Sequence, residues 1–269
     1  MGTVAKFLGK LSRKLPESES ANILKTTKAN KIPGSLSLTL DGTLKHAHDL
    51  RAFGLGTLAS MATLERYKRF TSSMHHVYST MEDELDKTET EALELWKRHG
   101  EVLRRSDALY HDLQDVTTSD ELAIMLQQPT PSTQNYVAAI REAGERDREN
   151  QGATLIGHLY CRYFADLFGG SVLASPYNMA LGLDSNTPRH YVFDITNRRE
   201  FIETVYRDIN TAGAILPELQ KKQVVDEALA AFRHNKQVYT EEPVSVDAMK
   251  GGINVVVGFG KSLFVSNKS

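Results

Sequence analysis

Residues 155–173 read LIGHLYCRYFADLFGGSVL, and this stretch decides the fold because a strong helical pattern runs into paired glycines. At helical spacing one face is apolar, and the opposite face carries three polar residues at i, i+4 and i+8: His158, Arg162 and Asp166. Gly169 and Gly170 each cost a helix interior about 1 kcal/mol relative to alanine. Because the apolar pattern continues beyond them, the pair indicates either a kink or helix end that binds nothing, or a place where something flat lies against bare backbone.

The overall composition is that of an ordinary globular protein: of 269 residues, 41% are hydrophobic and 25% are charged. The net charge of -2 gives no global field, so neither nucleic acid nor a membrane surface is expected as a partner. The single cysteine, Cys161, excludes an internal disulfide and favours a reducing compartment, such as the cytoplasm, a plastid or a mitochondrion. Because no run of about 18 apolar residues occurs, no segment is predicted to cross a membrane.

Composition divides the chain into three parts. Residues 1–40 are basic and rich in serine and threonine, which favours a flexible extension, either the remnant of an organelle-targeting segment or a solvated tail. Residues 41–242 carry the helical patterns of one domain. Residues 243–269 are predicted to be a tail rather than a helix because of four glycines: Gly251, Gly252, Gly258 and Gly260.

Apolar periodicity predicts helices throughout the domain. The clearest covers residues 63–87, where apolar side chains recur every three or four positions. A short helix over residues 43–58 is expected to be interrupted at Gly54 and Gly56, and the periodicity is lost after Ser171. Further helices are predicted over these ranges: 88–109, a brief one from 119, 135–143, 200–212 and 217–239. The fold is therefore predicted to be all-α, a single irregular bundle of about seven or eight helices.

Several sequence templates of enzymes are absent. The sequence contains no nucleotide-binding glycine loop, no H-E-x-x-H zinc motif and no G-x-S-x-G nucleophile motif. The acidic run Glu82, Asp83 and Glu84 is interpreted as a solvated helix edge, since the repeated Glu-x-x-His pairs of a di-iron bundle are missing. His46 and His48 point to different faces of one helix, and spacing alone selects neither as an axial metal ligand.

Four segments, in order, resemble the heme oxygenase family. GHLYCRYFADLFGGSVL (157–173) is similar to the distal-helix signature of that family, AH-x-Y-x-RY-x-GDL-x-GG. MHHVYSTMEDEL (74–85) resembles its second-helix segment, VYRDIN (205–210) its basic propionate-side segment, and VVDEALAAFRHN (224–235) its late helix ending in Phe-x-x-Asn. One such fragment would be weak, but four in register are specific and imply the all-α fold of the family.

The resemblance implies that heme lies between a proximal helix, which bears a histidine ligand, and a distal helix whose Gly169 and Gly170 let the backbone approach the porphyrin. The distal aspartate, here Asp166, is then expected to hold a water network over the iron, and that network is expected to donate a proton during turnover. Its partners in the family match three residues of this chain: Tyr78, Arg162 and Asn235. Because polar groups on otherwise apolar helices need mutual hydrogen bonds, one connected network is favoured over four independent core residues.

For the proximal ligand the resemblance favours His48 over His46. The family places a lysine three residues before the ligand, and Lys45 stands there. Lys45 and Arg207 are implied as clamps on the two heme propionates, where the guanidinium fork of arginine suits a carboxylate. Two further residues match ones that wall the heme: Tyr160 and Phe232.

Four positions depart from the family pattern. Ala165 replaces the usual glycine directly over the heme, as plant members do, while Phe168 replaces a small residue and Ser171 a common glutamine. The phenyl ring is expected either to narrow the pocket or to pack outward. Glu203 stands where the family often has a second propionate-binding lysine.

The function implied by the resemblance is oxidative opening of heme to biliverdin, with release of iron and carbon monoxide. Heme is then both substrate and cofactor, and an external electron donor, an NADPH-dependent reductase or a ferredoxin, supplies reducing equivalents. The protein is expected to be a monomer. The alternative is a non-catalytic heme- or tetrapyrrole-binding regulator of the same fold, in which Ala165 and Phe168 block the substrate. A plain helical interaction domain is a third interpretation.

Overall fold

The structure, a computed structural model, describes residues 25–47, 49–183 and 188–266, without the side chains of residues 44–47, 50, 169–172 and 262–266. No strand occurs among these residues, and α-helices joined by short turns make up most of the described chain. The predicted all-α fold is therefore confirmed. None of the helices in these ranges is long and apolar enough to cross a membrane.

Most of the helices follow one another with short connections. In chain order they are α1 (Leu36–Ala47), α2 (Leu50–Ser60), α3 (Leu64–Lys87), α4 (Glu94–Leu103), α5 (Ser106–Gln114), α6 (Ser119–Gln127), α7 (Pro131–Asn150), α8 (Leu155–Ala165), α9 (Ser171–Leu181), α10 (Arg198–Ile215), α11 (Glu218–Thr240) and α12 (Ser245–Ser266). A π-helical turn, Asp166–Gly170, joins α8 to α9. The predicted helix over residues 88–109 is divided into α4 and α5, which is one reason that the described residues hold more helices than expected.

The central stretch forms the helix around which the others pack. Every residue of α8 from Leu155 to Phe164 is buried. Its closest neighbour is α11, because Gly157 lies against the α11 backbone: a Cβ there would sit 2.6 Å from the Ala228 amide nitrogen and 2.9 Å from the Val224 carbonyl oxygen. The absence of a side chain at Gly157 therefore sets how closely the two helices approach.

The start of α8 is fixed by α7, which runs much further than the predicted 135–143. The Thr130 side chain caps α7 and Pro131 occupies its first turn, and the helix ends at Gln151, which has a left-handed φ of 51°. Buried Asp147 near its end accepts hydrogen bonds from the backbone N–H groups of Thr154 (2.7 Å) and Leu155 (2.9 Å). The charged residues that follow 143 are thus a continuation of α7 that holds the first residues of α8.

The expected interruption at Gly54 and Gly56 is wrong, because both glycines lie inside α2. The break comes earlier, before Asp49, whose side chain caps α2 by accepting a hydrogen bond from the Ala52 N–H at 3.0 Å. Gly56 has a packing role, since a Cβ there would lie 2.7 Å from the Tyr239 carbonyl oxygen. It therefore lets α11 approach α2.

Two further expectations about irregular segments are wrong. The pattern lost after Ser171 corresponds to helix α9, which contains Pro176. The glycine-containing tail forms helix α12 over most of its length. The predicted extension 1–40 is structured in its last part, where Ala29 is buried and α1 begins at Leu36, while residues 1–24 lie outside the described residues. The boundaries drawn at residues 40 and 242 thus separate segments that pack together, and the domain division stays a prediction.

The acidic run on α3 is also not a solvated edge. Glu82 and Glu84 are buried, and only Asp83 is exposed. Glu82 accepts the backbone N–H of Arg105 at 2.6 Å and so caps the start of α5, while Glu84 pairs with Arg148 at 2.7 Å. Both carboxylates have partners from distant parts of the chain, which is how burial of their charge is tolerated.

The close contact at Gly157 predicts that a methyl group added there lowers the stability of the protein. Gly157→Ala should lower the free energy of unfolding by about 1–3 kcal/mol, the usual cost of overpacking a core, despite the better helix propensity of alanine. The matched control is Gly42→Ala in α1, where a Cβ would have nothing within 4 Å. Urea unfolding of both variants checks this. Equal stability of the two would show that α8 and α11 are not packed as closely as described.

Candidate functional site

A connected set of buried polar side chains lies where α3, α8 and α11 meet. The Tyr78 hydroxyl donates to Asp166 Oδ2, and Arg162 Nη2 donates to the Tyr78 hydroxyl at 3.2 Å. Arg162 Nη1 donates to Asn235 Oδ1 at 3.1 Å, and Arg162 Nη2 lies 3.5 Å from Asp166 Oδ1. Each of the four residues is 5% exposed or less. The structure thus brings together all four residues named from the resemblance as the distal network; their catalytic role stays a prediction.

The charges of this set follow from its burial. Burial raises the pKa of the Tyr78 phenol well above its ordinary value, although the charge of Arg162 acts in the opposite direction. Burial also disfavours the charge of Arg162, but Tyr78 and Asp166 outweigh it and raise its pKa. The guanidinium therefore stays positive and the phenol stays protonated, so Tyr78 is a hydrogen-bond donor to the Asp166 carboxylate.

The surface opens immediately beside this set. Ala165 is exposed, although the ten residues before it in α8 are all buried. The π-helical turn Asp166–Gly170 follows at once, and the Leu167 carbonyl in this turn accepts a hydrogen bond from Arg198 Nη2. Isolated π-helical turns inside helices are frequent at functional sites. The paired Gly169 and Gly170 thus lie in a local widening of the helix beside open surface, as the ligand-binding interpretation expects.

The bulky departure from the family pattern does not point away from the protein. Phe168 is partly buried and packs against Phe164, with ring centroids 5.8 Å apart. Phe164 in turn contacts Tyr160 at 5.0 Å and Tyr206 at 4.8 Å. The phenyl ring at 168 therefore extends the aromatic core instead of packing outward.

A second polar centre joins α1 to the central helix. The Asp41 carboxylate of α1 accepts hydrogen bonds from the hydroxyls of Tyr160, on α8, and Tyr206, on α10, the latter at 3.0 Å. Asn30 Nδ2 donates to the other carboxylate oxygen at 2.7 Å. Sequence reasoning missed Asp41, although a carboxylate within an apolar helix is a signal for a buried partner. The resemblance assigns Tyr160 to a heme wall, which stays a prediction, and the structure shows that the Tyr160 hydroxyl ties α8 to α1.

The proximal candidates lie at the other end of α1. His48, the expected ligand, lies outside the described residues. Lys45 and His46 are in the last turn of α1, and their side chains are also outside the described part of the chain. The choice between His48 and His46 therefore stays a prediction.

The remaining predicted contacts differ in exposure. Arg207 on α10 is 66% exposed and lies 3.4 Å from Glu203 one turn earlier. Glu203 accepts the backbone N–H groups of Lys28 (2.8 Å) and Ala29 (3.2 Å), so this departure from the family pattern fastens the segment before α1. Phe232 on α11 is buried in the main core. Arg207 is free to turn toward an anion, whereas Phe232 is fixed.

One more aromatic residue belongs to this region and was missed. Tyr239 stands one helical turn after Asn235 and packs edge-on against Phe53 of α2 (5.2 Å) and Phe70 of α3 (4.9 Å). Burial raises the pKa of its phenol, and the charge of Arg162 acts in the opposite direction. The i+4 spacing from Asn235 was the available signal, since it places both side chains on one face of α11.

The Asp41 centre predicts a stability effect. Asp41→Ala should lower the free energy of unfolding by about 1–3 kcal/mol, because three donors lose a charged acceptor in a partly buried place. The matched control is Asp83→Ala on the exposed edge of α3, which should change stability by less than about 0.5 kcal/mol. Urea unfolding measures both. If the two variants are equally stable, Asp41 does not fasten α1 to α8.

Comparison of the sequence and the fold with known proteins identifies the family of this chain. The sequence profile of the family described as heme oxygenase matches residues 45–241. Heme oxygenase 1 of Pongo abelii is 28% identical over 222 residues, covering 79% of this chain and 73% of its own length. The structure of heme oxygenase from Leptospira interrogans is 26% identical with a TM-score of 0.64, covering 77% of this chain and all of the other. Heme oxygenase-1 from the cyanobacterium Synechocystis, solved in complex with heme, is 25% identical with a TM-score of 0.65, covering 86% and 99%. The chain belongs to the heme oxygenase family.

Proposed function

We propose that this protein opens heme oxidatively to biliverdin, with release of iron and carbon monoxide. The observation that carries the proposal is the buried set of Tyr78, Arg162, Asp166 and Asn235 beside the open surface at Ala165. Relatives named heme oxygenases, one of them solved in complex with heme, support the same conclusion. Heme would be both substrate and cofactor.

The residues present fit a porphyrin. A porphyrin has a flat apolar face and two carboxylates at one edge, so its site needs backbone without side chains and mobile cations. The π-helical turn that follows Ala165 and ends in two glycines supplies the first requirement, and the exposed guanidinium of Arg207 supplies part of the second. Lys45 would meet the other propionate and His48 would bind the iron. When bound, heme supplies the iron that activates oxygen and the ring that is opened, with electrons from an external donor.

The chain's own contribution is to hold a proton source at a fixed place. Asp166 Oδ2 accepts a hydrogen bond from the Tyr78 hydroxyl, and Arg162 offsets the carboxylate charge. The Arg162–Asn235 hydrogen bond fixes the plane of the guanidinium. The Asp166 side chain is 7% exposed and lies next to the exposed Ala165, so the carboxylate is close to solvent. In this arrangement the Asp166 carboxylate would accept a hydrogen bond from a water molecule and orient it toward the ligand, and that water would donate the proton.

The electron donor, the compartment and the oligomeric state rest on the sequence. An NADPH-dependent reductase or a ferredoxin is expected as donor, in a reducing compartment, with the protein as a monomer. A non-catalytic heme- or tetrapyrrole-binding regulator is the second candidate, because Ala165 carries a methyl group where the family usually has glycine. Phe168 does not add to that argument, since it packs against Phe164.

Absorption spectroscopy of the purified protein with hemin tests the proposal. A Soret band typical of histidine-ligated heme should form and then be replaced by a bilin spectrum when an electron donor is added, with catalase present to remove free hydrogen peroxide. A stable Soret band without conversion would favour the regulator. No binding would contradict both functions.

The proton source predicts a specific loss. Asp166→Ala should keep hemin binding and lower bilin formation by about 10²-fold or more, the usual contribution of a positioned proton donor. The control, Asp226→Ala, removes an exposed carboxylate of α11 that pairs with Lys222 one turn earlier and should leave turnover unchanged. Single-turnover assays of both variants decide the point. Undiminished bilin yield from Asp166→Ala would show that the proton comes from elsewhere.

The proximal ligand is tested by two parallel substitutions. His48→Ala should abolish the histidine-ligated spectrum of the hemin complex, and added imidazole should restore it. His46→Ala should leave the spectrum unchanged. The reverse pattern would assign the ligand to His46.

A further inference from the structure

The last helix, α12, lies outside residues 45–241, the part that matches the family. It packs on both α2 and α9. α2 follows the expected iron ligand His48 along the chain, and α9 follows Gly170. The helix therefore contacts the segments that continue from the two sides of the proposed heme crevice.

The contact with α2 is made through backbone. A Cβ at Gly251 would overlap the Leu58 carbonyl oxygen, so α12 approaches α2 more closely than any side chain there would allow. One turn later, Asn254 Nδ2 donates to the carbonyl oxygens of Met61 (3.2 Å) and Ala62 (3.1 Å) at the end of α2. This amide binds carbonyls that the helix end leaves without intrahelical partners.

The contact with α9 has the same character. A Cβ at Gly258 would overlap the Met179 carbonyl oxygen. Between the two glycines, Val255 packs on a small apolar cluster that includes Tyr177 of α9. Beneath it the Tyr177 hydroxyl lies 2.5 Å from Ser60 Oγ, so α2 and α9 already touch where α12 covers them.

The start of α12 is held by charge. Arg66 of α3 donates through Nε to Asp247 Oδ2 at 2.7 Å and through Nη2 to the Pro243 carbonyl at 2.9 Å, and it also pairs with Glu242. The Arg66 side chain is only 19% exposed. α12 is thus fixed to the bundle at its first turn as well as along its glycine face.

We propose that α12 is a brace that holds α2 against α9 and so limits opening of the heme crevice for heme entry and bilin release. The proposal rests on the proposed function for the identity of the ligand. Its physical basis is that α12 contacts the backbones of both helices: if α2 and α9 move apart, at least one of the contacts at Gly251 and Gly258 is lost. Side chains can change rotamer when two helices separate, whereas backbone atoms in direct contact have no such freedom.

The first test measures the separation of α2 and α9 without heme. Spin labels are attached to cysteines introduced at the exposed positions Arg51→Cys and Ser175→Cys. Cys161 is buried, and burial raises the pKa of its thiol to about 12, so it does not react. Gly251→Leu with Gly258→Leu should broaden the distance distribution from pulsed electron paramagnetic resonance. The control, Gly252→Leu with Gly260→Leu, replaces glycines that have nothing within 4 Å and should keep it narrow.

The second test measures hemin dissociation by transfer to apomyoglobin. The rate should rise about tenfold in the Gly251/Gly258 variant, as expected when the open state becomes roughly ten times more populated, and stay unchanged in the control. An unchanged rate and an unchanged distance distribution in the Gly251/Gly258 variant would overturn the brace. If no variant binds hemin, the proposed function fails while the distance measurement still judges the brace.

A milder pair keeps the test decisive if the leucine variant does not fold. Gly251→Ala with Gly258→Ala adds one methyl group at each contact, and Gly252→Ala with Gly260→Ala is its control. Circular dichroism establishes that both are folded. A broadened distance distribution in the first pair alone supports the brace, and equal distributions contradict it.

Discussion

Burial of the Arg162 guanidinium is the constraint on which the rest of the structure depends. A charged group with five N–H donors in the middle of a helical bundle is tolerated only if oxygen atoms from neighbouring helices meet it. Here they come from Tyr78 on α3, Asp166 directly after α8 and Asn235 on α11. α3 and α11 must therefore each keep one register against α8. The same requirement that stabilises the core leaves Asp166 held and charge-compensated at the edge of open surface, where its carboxylate is placed to accept a hydrogen bond from water.

The central helix α8 both forms the core and ends at the open surface. α8 is buried on all sides until Ala165, where the helix widens into a π-helical turn that ends in two glycines. α1 is fastened to α8 and α10 by Asp41, which accepts hydrogen bonds from the hydroxyls of Tyr160 and Tyr206. Separate interactions therefore position the helices on the two sides of the proposed crevice: a buried guanidinium on the distal side and a partly buried carboxylate on the proximal side.

Much of this was accessible from the sequence, for identifiable reasons. α3 was predicted closely because its apolar residues repeat over seven turns and Thr63 caps it. The distal set was named only through resemblance, since periodicity shows that Arg162 and Asp166 share a face but not which residues meet them. Glu82 and Asp41 were misread or missed because their partners lie far along the chain, 23 residues away for Arg105 and 119 for Tyr160.

The error at α12 has a similar cause. Glycine was counted as a helix breaker at about 1 kcal/mol each, which is correct for an isolated helix. Gly251 and Gly258 instead permit contacts with the carbonyls of Leu58 and Met179, and packing of the helix outweighs its poor propensity. No pattern local to residues 243–269 carries that information, because the contacts are with α2 and α9.

A crystal structure of the hemin complex tests the central claim most directly. The porphyrin is predicted to lie between α1 and the junction of α8 and α9, with one face against Ala165 and the backbone of Gly169 and Gly170, Asp166 on that same face, and His48 on the other. Hemin bound at any other place on the molecule, or with Asp166 turned away from its iron, would contradict the account.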